Sequence, residues 1–323
     1  MELFNSAFGE NTTFVHSAYF IISGFIGIPD MKYYASLFFV YIVSVLKNIT
    51  VMAVICMDQK LRIPKYIDIF NLAFVDLIGS SALVPKVLDI FFFFYHPYIL
   101  YDCLTFMFFC YSCLSMQSFN LVALCYDRLI AIIFPLHYQA KVTHRFMFSL
   151  IASFWLFNIT AALIAVGFLT RLSYCKSVVI DSYFCDYSLM HTLACNDRTP
   201  SLFIGRWFPV LIFWLPLVFI LLSYVCIGYA LFKVITVQES VKAFKTCTAH
   251  ILLVAIFYLP VMITFTFSGA SIHPNARIIN MSLTSVFPPM LNPIIYVLQT
   301  QEIILSLKKI KNQFKFTVNK MIK

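Results

Sequence analysis

Asp76 is the residue whose chemistry most needs explaining. It stands in the middle of an apolar stretch, and Asn48, Asn120, Ser285 and Asn292 stand in other apolar stretches. Ionisable groups in such surroundings are costly to bury and mark ion, proton or water pathways. Together these side chains can line a wet interior holding an ion or a water network, or form an interhelical hydrogen-bond cluster. Asp127 and Arg128 are an adjacent acid and base at the end of a further apolar run. Such a pair can lock one conformation and release another, or the Arg can simply snorkel to the surface. Pro135, Pro216, Pro260 and Pro293 punctuate the chain, three of them inside apolar runs. There proline frees a carbonyl and permits a kink. Kinked helices around a polar interior make a bundle built to switch. Covalent chemistry has no comparable support. There is no His/Cys pair at metal spacing in one compartment, no GxSxG and no Gly-rich phosphate loop. The seven His are isolated. The sequence predicts no metal, no cofactor, no catalytic constellation and no enzyme.

Those residues need elements to carry them. Of 323 residues, 61% are hydrophobic and 11% charged, whereas a soluble domain is nearer half apolar and about a quarter charged. A bilayer serves as solvent for such a chain, and a spanning helix needs about 20 apolar residues. Candidate spans are 33–57, 66–88, 103–129, 146–168, 206–232, 244–267 and 279–299, the second weakened by Asp68, Asn71 and Asp76. The expected fold is an all-α membrane protein, a seven-transmembrane-helix bundle. It divides into an extracellular tail (1–32), the bundle (33–299) and a cytoplasmic helix and tail (300–323). The net charge of +9 is read as membrane topology and not as nucleic-acid binding. Lys60, Arg62, Lys65, Arg128, Lys141, Arg145, Lys233, Lys242, Lys245 and the tail lysines fall on one side. The positive-inside rule makes that side cytoplasmic, with the N-terminus outside. After the last span, QEIILSLKKIKNQFKF alternates apolar and basic residues as an amphipathic helix on the anionic inner leaflet does. The N-terminus has no basic region followed by an apolar core, so no cleaved signal peptide is expected.

Of the ten cysteines, six lie in or at the ends of spans and read as small packing residues. Cys103, Cys175, Cys185 and Cys195 face the oxidising side, where four cysteines allow three connectivities. A bond from Cys103 to the long loop at 169–205 would pin that loop over the bundle mouth as a lid. Of four glycosylation sequons, those at Asn48, Asn158 and Asn280 fall inside spans, leaving Asn11 on the outer tail as the glycosylation site.

The ordered motifs resemble a rhodopsin-like (class A) G-protein-coupled receptor, and within that group an olfactory (odorant) receptor of fish type. Leu72-Ala73-Phe74-Val75-Asp76 resembles the second-helix LAxxD, and Pro85-Lys86 the PK near that helix's outer end. ALCYDRLIAIIFPLHY (123–138) resembles the odorant-receptor MAYDRYVAICxPLxY and is the most diagnostic stretch. Trp155, Ser223-Tyr224, KAFKTCTAHI (242–251) and PMLNPIIY (289–296) resemble the fourth-, fifth-, sixth- and seventh-helix signatures. The resemblance covers nearly the whole chain. Several positions depart from it. Lys47 stands where the first-helix motif has Gly, and Leu129 replaces the Tyr of DRY. Leu259 and Pro260 follow Tyr258, where many mammalian odorant receptors have Tyr-Gly. Gln117 occupies a third-helix position where other receptors help bind sodium through a small hydroxyl, which puts a sodium site at Asp76 in doubt.

The resemblance implies disulfides Cys103–Cys185 and Cys175–Cys195. It implies a plasma-membrane, multi-pass receptor whose partners are the bilayer, a small-molecule odorant and a heterotrimeric G protein of the olfactory stimulatory, cAMP-raising type. Motif alignment puts Cys110, Tyr111, Leu114 and Ser115 of the third helix on the wall of the ligand pocket, with Phe208 and Ile212 of the fifth. Tyr258 and Phe265 of the sixth join them, with Ser282 and Ser285 of the seventh. The ligand would enter under the long loop, and the sparse charge among these residues argues against a highly charged one. Asp127, Arg128, Tyr224, Asn292, Pro293 and Tyr296 would carry the switch to the G protein, with Asn48 and Asp76 as polar core. An aminergic receptor would want an acid within 104–126 and an opsin a Lys within 279–299. Neither is present. A class A receptor for another small or lipid ligand is the nearest alternative, and a transporter the next.

Overall fold

The computed structural model describes residues 19–22, 31–92, 97–174, 179–180, 182, 185–234, 237–267, 273–300, 302–310 and 312. Among these, seven helices are long and apolar enough to cross a membrane. They are Met31–Met57, Pro64–Phe92, Leu100–Ile133 and His144–Leu169. The fifth runs through Thr199–Pro209, Val210–Trp214 and Leu215–Val234, followed by Val237–Phe267 and Pro274–Gln299. Each extends a few residues past its apolar core, because helical hydrogen bonding continues into the polar zone where hydropathy fades. The third span is the hub. It packs on the second, fourth, fifth and sixth, while the first packs on the second and seventh. Large apolar side chains such as Phe39, Leu156, Leu222 and Phe232 point outward, as they do where lipid is the solvent.

Prolines leave carbonyls that neighbouring helices take up. Pro293 has no N–H for the carbonyl of Pro289, and the Asn48 amide donates to that oxygen at 2.9 Å. The first and seventh spans are thereby joined. Pro216 likewise leaves the carbonyl of Ile212, and the Ser118 hydroxyl donates to it at 2.7 Å. Val210–Trp214 is a turn of π-helix between Pro209 and Pro216, a feature the hydropathy pattern does not signal. Close approach matters at Gly79: a Cβ there would lie 3.0 Å from Cys113 Cβ, so glycine lets the second and third spans touch.

The outer face differs from the all-helical expectation. Tyr19–Ile22, placed by sequence in a plain tail, is the central strand (β1) of a three-stranded sheet. It pairs antiparallel with Pro97–Ile99 (β2) and parallel with Val179–Ile180 (β3). The three segments are too short for periodicity to reveal, and they meet only once the long loop folds back. Phe20, Ile180 and Met190 are buried beneath this cover. The Cys103–Cys185 disulfide pins it. Cys195 is also disulfide-bonded, while its expected partner Cys175 and the Asn11 sequon lie outside the described residues. On the opposite face residues 302–310 are helical. Ser306 donates to Asp58 Oδ2 at 2.6 Å, and Glu302 lies 3.7 Å from Lys65. Contact with Ser306 first, and then the backbone N–H of Lys60, holds the Asp58 carboxyl below its ordinary range.

Candidate functional site

Beneath the outer cover is a cavity of about 330 Å³, walled by the third, fourth, fifth, sixth and seventh spans. That is the size class of a small-molecule site. Of the pocket residues expected from motif alignment, Tyr111, Ser115, Phe208, Ile212 and Phe265 line it. Cys110, Leu114 and Ser285 line a smaller cavity of about 40 Å³, which shares Tyr111, Thr264 and Phe265 with the first. Tyr258 and Ser282 line neither. The Tyr258 hydroxyl lies 2.7 Å from Ser118 Oγ, tying the sixth span to the third. Ser282 donates to its own helix at Ile278 O. Each hydroxyl satisfies itself inside the bundle, which turns it from the cavity.

The structure adds wall residues that the motifs did not. Asp186, Tyr187 and Ser188 of the long loop form the roof with Arg277 of the seventh span, while Asn158 comes from the fourth and Arg206 from the fifth. Asp186 Oδ1 lies 2.7 Å from Arg277 Nη2 and accepts from Ser188 N, Ser188 Oγ and Leu189 N. Burial alone would raise the Asp186 pKa, but Arg277 and Ser188 outweigh it and hold the carboxyl below its usual range. The roof is therefore latched by an ion pair between the loop and the seventh span. Asp186 follows Cys185 directly, so its place above the bundle mouth was readable once Cys185 is paired with Cys103. Arg277 carried no such signal.

Below the cavity a polar column descends. Asp76 accepts from Gln117 Nε2 at 2.7 Å and from Asn292 Nδ2 at 2.8 Å. Gln117 therefore supplies a donor where the resemblance had suggested a small hydroxyl. Lys47 makes no ion pair with Asp76 among the described residues. Asn120 belongs to a different tie, in which Asn71 donates to it at 2.7 Å and Trp155 Nε1 donates to Asn71 at 3.0 Å. Spans two, three and four meet there. At the end of the bundle away from the cavity Tyr138 donates to Asp127 at 2.6 Å. The charge of Arg128 acts on Asp68, Tyr224, His250 and Tyr296, and Tyr224 is hydrogen-bonded to His250. Asp68 is buried with neither oxygen hydrogen-bonded to a described residue, a polar orphan in the same cluster. Pro293 is buried just above, on the seventh span.

The olfactory receptor family model matches residues 37–313 of the chain. The chain is 34% identical to human olfactory receptor 52K1 over 314 residues, covering 94% of this chain and 99% of that protein. It is 33% identical to mouse olfactory receptor 5K16 over 308 residues, covering 93% of this chain and 95% of that one. To gorilla olfactory receptor 1E2 it is 33% identical over 319 residues, with 95% and 99% covered.

Proposed function

The chain belongs to the olfactory receptor family, and on that premise we propose that an odorant bound in the roofed cavity drives a heterotrimeric G protein of the stimulatory, cAMP-raising type. It is a multi-pass plasma-membrane receptor and not an enzyme. The observation that carries the proposal is the continuity of cavity and column. Ile212 lines the cavity with its side chain and is held through its carbonyl by Ser118, which also meets Tyr258. A ligand that presses on the π-helical turn therefore acts on the third and sixth spans together. Such a ligand shifts the bundle only by its differential affinity for two states. Asn292, Pro293 and Tyr296 on the seventh span and Asp127, Arg128 and Tyr224 on the third and fifth would transmit the shift. In this reading the N-terminus is outside and the C-terminus inside, an orientation that the distribution of basic residues supports. Within the family the reading is of fish type, as the resemblance of the motifs implies.

The test is a cell assay of cAMP against a panel of amino acids, steroids, prostaglandins and volatile odorants. Arg128→Ala should abolish ligand-driven cAMP while leaving surface expression intact. Normal cAMP in that variant would remove Arg128 from the switch.

A further inference from the structure

Resting on the reading of the cavity as the odorant site, we propose that its ligand is an uncharged amphiphile that donates a hydroxyl hydrogen bond to Asp186 Oδ2 and, where it carries a second hydroxyl, another to Asn158 Oδ1. The two oxygens of Asp186 are unequally served. Oδ1 receives Arg277 Nη2, Ser188 N, Ser188 Oγ and Leu189 N, all within 3.3 Å. Among the described residues, Oδ2 has only the Tyr111 hydroxyl at 3.4 Å, a long hydrogen bond. The carboxylate is 3% exposed and lines the cavity. A buried ionised oxygen with one poor donor is strongly favourable to a hydroxyl arriving from the cavity.

Asn158 repeats the pattern on the fourth-span wall. It is 1% exposed, and its amide nitrogen donates to the Ser112 carbonyl at 2.9 Å. A carbonyl can only accept, which fixes the amide orientation and makes the remaining atom, Oδ1, an acceptor. No described residue donates to that oxygen. The cavity's own hydroxyl donors already face acceptors of the walls: Tyr187 on Ser201, Thr264 on Pro260 O, Ser115 on Tyr111 O, Ser188 on Asp186 Oδ1 and Tyr111, at 3.4 Å, on Asp186 Oδ2. What the walls offer is therefore acceptance. The remaining lining is largely apolar, with Met107, Phe208, Ile212, Phe213 and Phe265 suited to a hydrocarbon body.

Charge argues for neutrality. Arg277 already neutralises Asp186, so an ammonium would sit beside a guanidinium. A carboxylate would instead meet Oδ2. Arg206 also lines the cavity but is exposed near the start of its span, a position from which a guanidinium can snorkel to the interface.

Purified full-length receptor in lipid nanodiscs is heated with octanol, its methyl ether, octanoate, octylamine and the terminal diol, each also at shorter and longer chain length. Binding is read as thermal stabilisation and converted to affinity. Alcohols should bind at least about tenfold more tightly than the matched ethers, the difference expected for a hydrogen bond to a charged acceptor. In Asp186→Asn the four donors hold the amide oxygen, so the nitrogen faces the cavity and the advantage of alcohol over ether should be lost, since a hydroxyl and an ether oxygen accept alike. Asn158→Leu should remove the advantage of diol over alcohol while keeping that of alcohol over ether, and it serves if Asp186→Asn does not fold. Ethers equal to alcohols, octanoate or octylamine binding best, or no stabilisation by any alcohol would overturn the proposal. Ile212→Trp, which fills the cavity, separates the two readings. If it suppresses every response, the cavity stands as the binding site whatever the ligand's polarity. If responses survive it, the cavity reading fails.

Discussion

Gln117 and Asn292 each give Asp76 a donor, and substitution can weigh one of them. Gln117→Leu leaves Asp76 Oδ1 buried without its partner. The expected loss is about 1–3 kcal/mol, seen as a lower melting temperature of the purified receptor; an unchanged midpoint would mean that the bond contributes nothing net. The Asp186 latch has a pH signature of definite sign. Its folded pKa lies below that of the unfolded chain, so its stabilisation is fully present above about pH 3.9. It is lost only as pH falls through the lower folded value. Hydrogen exchange at residues 187–192 should therefore not change between pH 7 and 5 once the intrinsic rate is corrected. Opening of this segment within that window would contradict the latch. At this scale the sequence was legible where a polar type stood in an apolar run, as at Asp76, Asn48 and Asn292. It was opaque where partnership depends on helix rotation or on a loop folding back. Gln117 was recognised as unusual but not as Asp76's donor, and Asp186 and Arg277 lie far apart in the chain and meet only in space.

Helices carry these residues, and the points where helices are interrupted or closely apposed decide how they do so. At Gly79 the second span touches the third with no room to spare. Gly79→Val should force the two apart and lower stability by about 1–3 kcal/mol, measured by thermal unfolding. A neutral result would show that Cys113 can move aside. The helix at 302–310 is fastened to the turn between the first and second spans through Ser306 and Asp58. Ser306→Ala should speed amide exchange across that helix roughly tenfold, whereas unchanged exchange would leave lipid contact as its anchor. Span existence was readable from hydropathy, and the amphipathic tail helix from its basic and apolar alternation. The π-helical turn at Val210–Trp214 was not, because two prolines signal that a helix is disturbed without saying which way it winds. The small sheet was missed because strands of two to four residues carry no periodicity.

The whole molecule joins a cavity at one end of the bundle to a polar cluster at the other through side chains that take up proline-freed carbonyls. Asn48 does so between the first and seventh spans, and Ser118 between the third and fifth. The seven-span architecture and the family were legible in full from ordered motifs, since each motif marks a helix end or kink whose spacing the bilayer fixes. Pocket chemistry was legible only in part. Eight of the ten motif-aligned residues line one of the two cavities, but the charged roof came from a loop that motif alignment does not reach. The central claim is that filling this cavity controls the cytoplasmic end, and guanine-nucleotide exchange tests it most directly. Purified receptor in nanodiscs is mixed with a stimulatory G protein, and exchange is followed with and without an agonist found in the cAMP panel. Wild-type receptor should accelerate exchange only with agonist, and Ile212→Trp should abolish the agonist's effect while still reaching the membrane. Agonist-driven exchange of undiminished rate in Ile212→Trp would contradict the account.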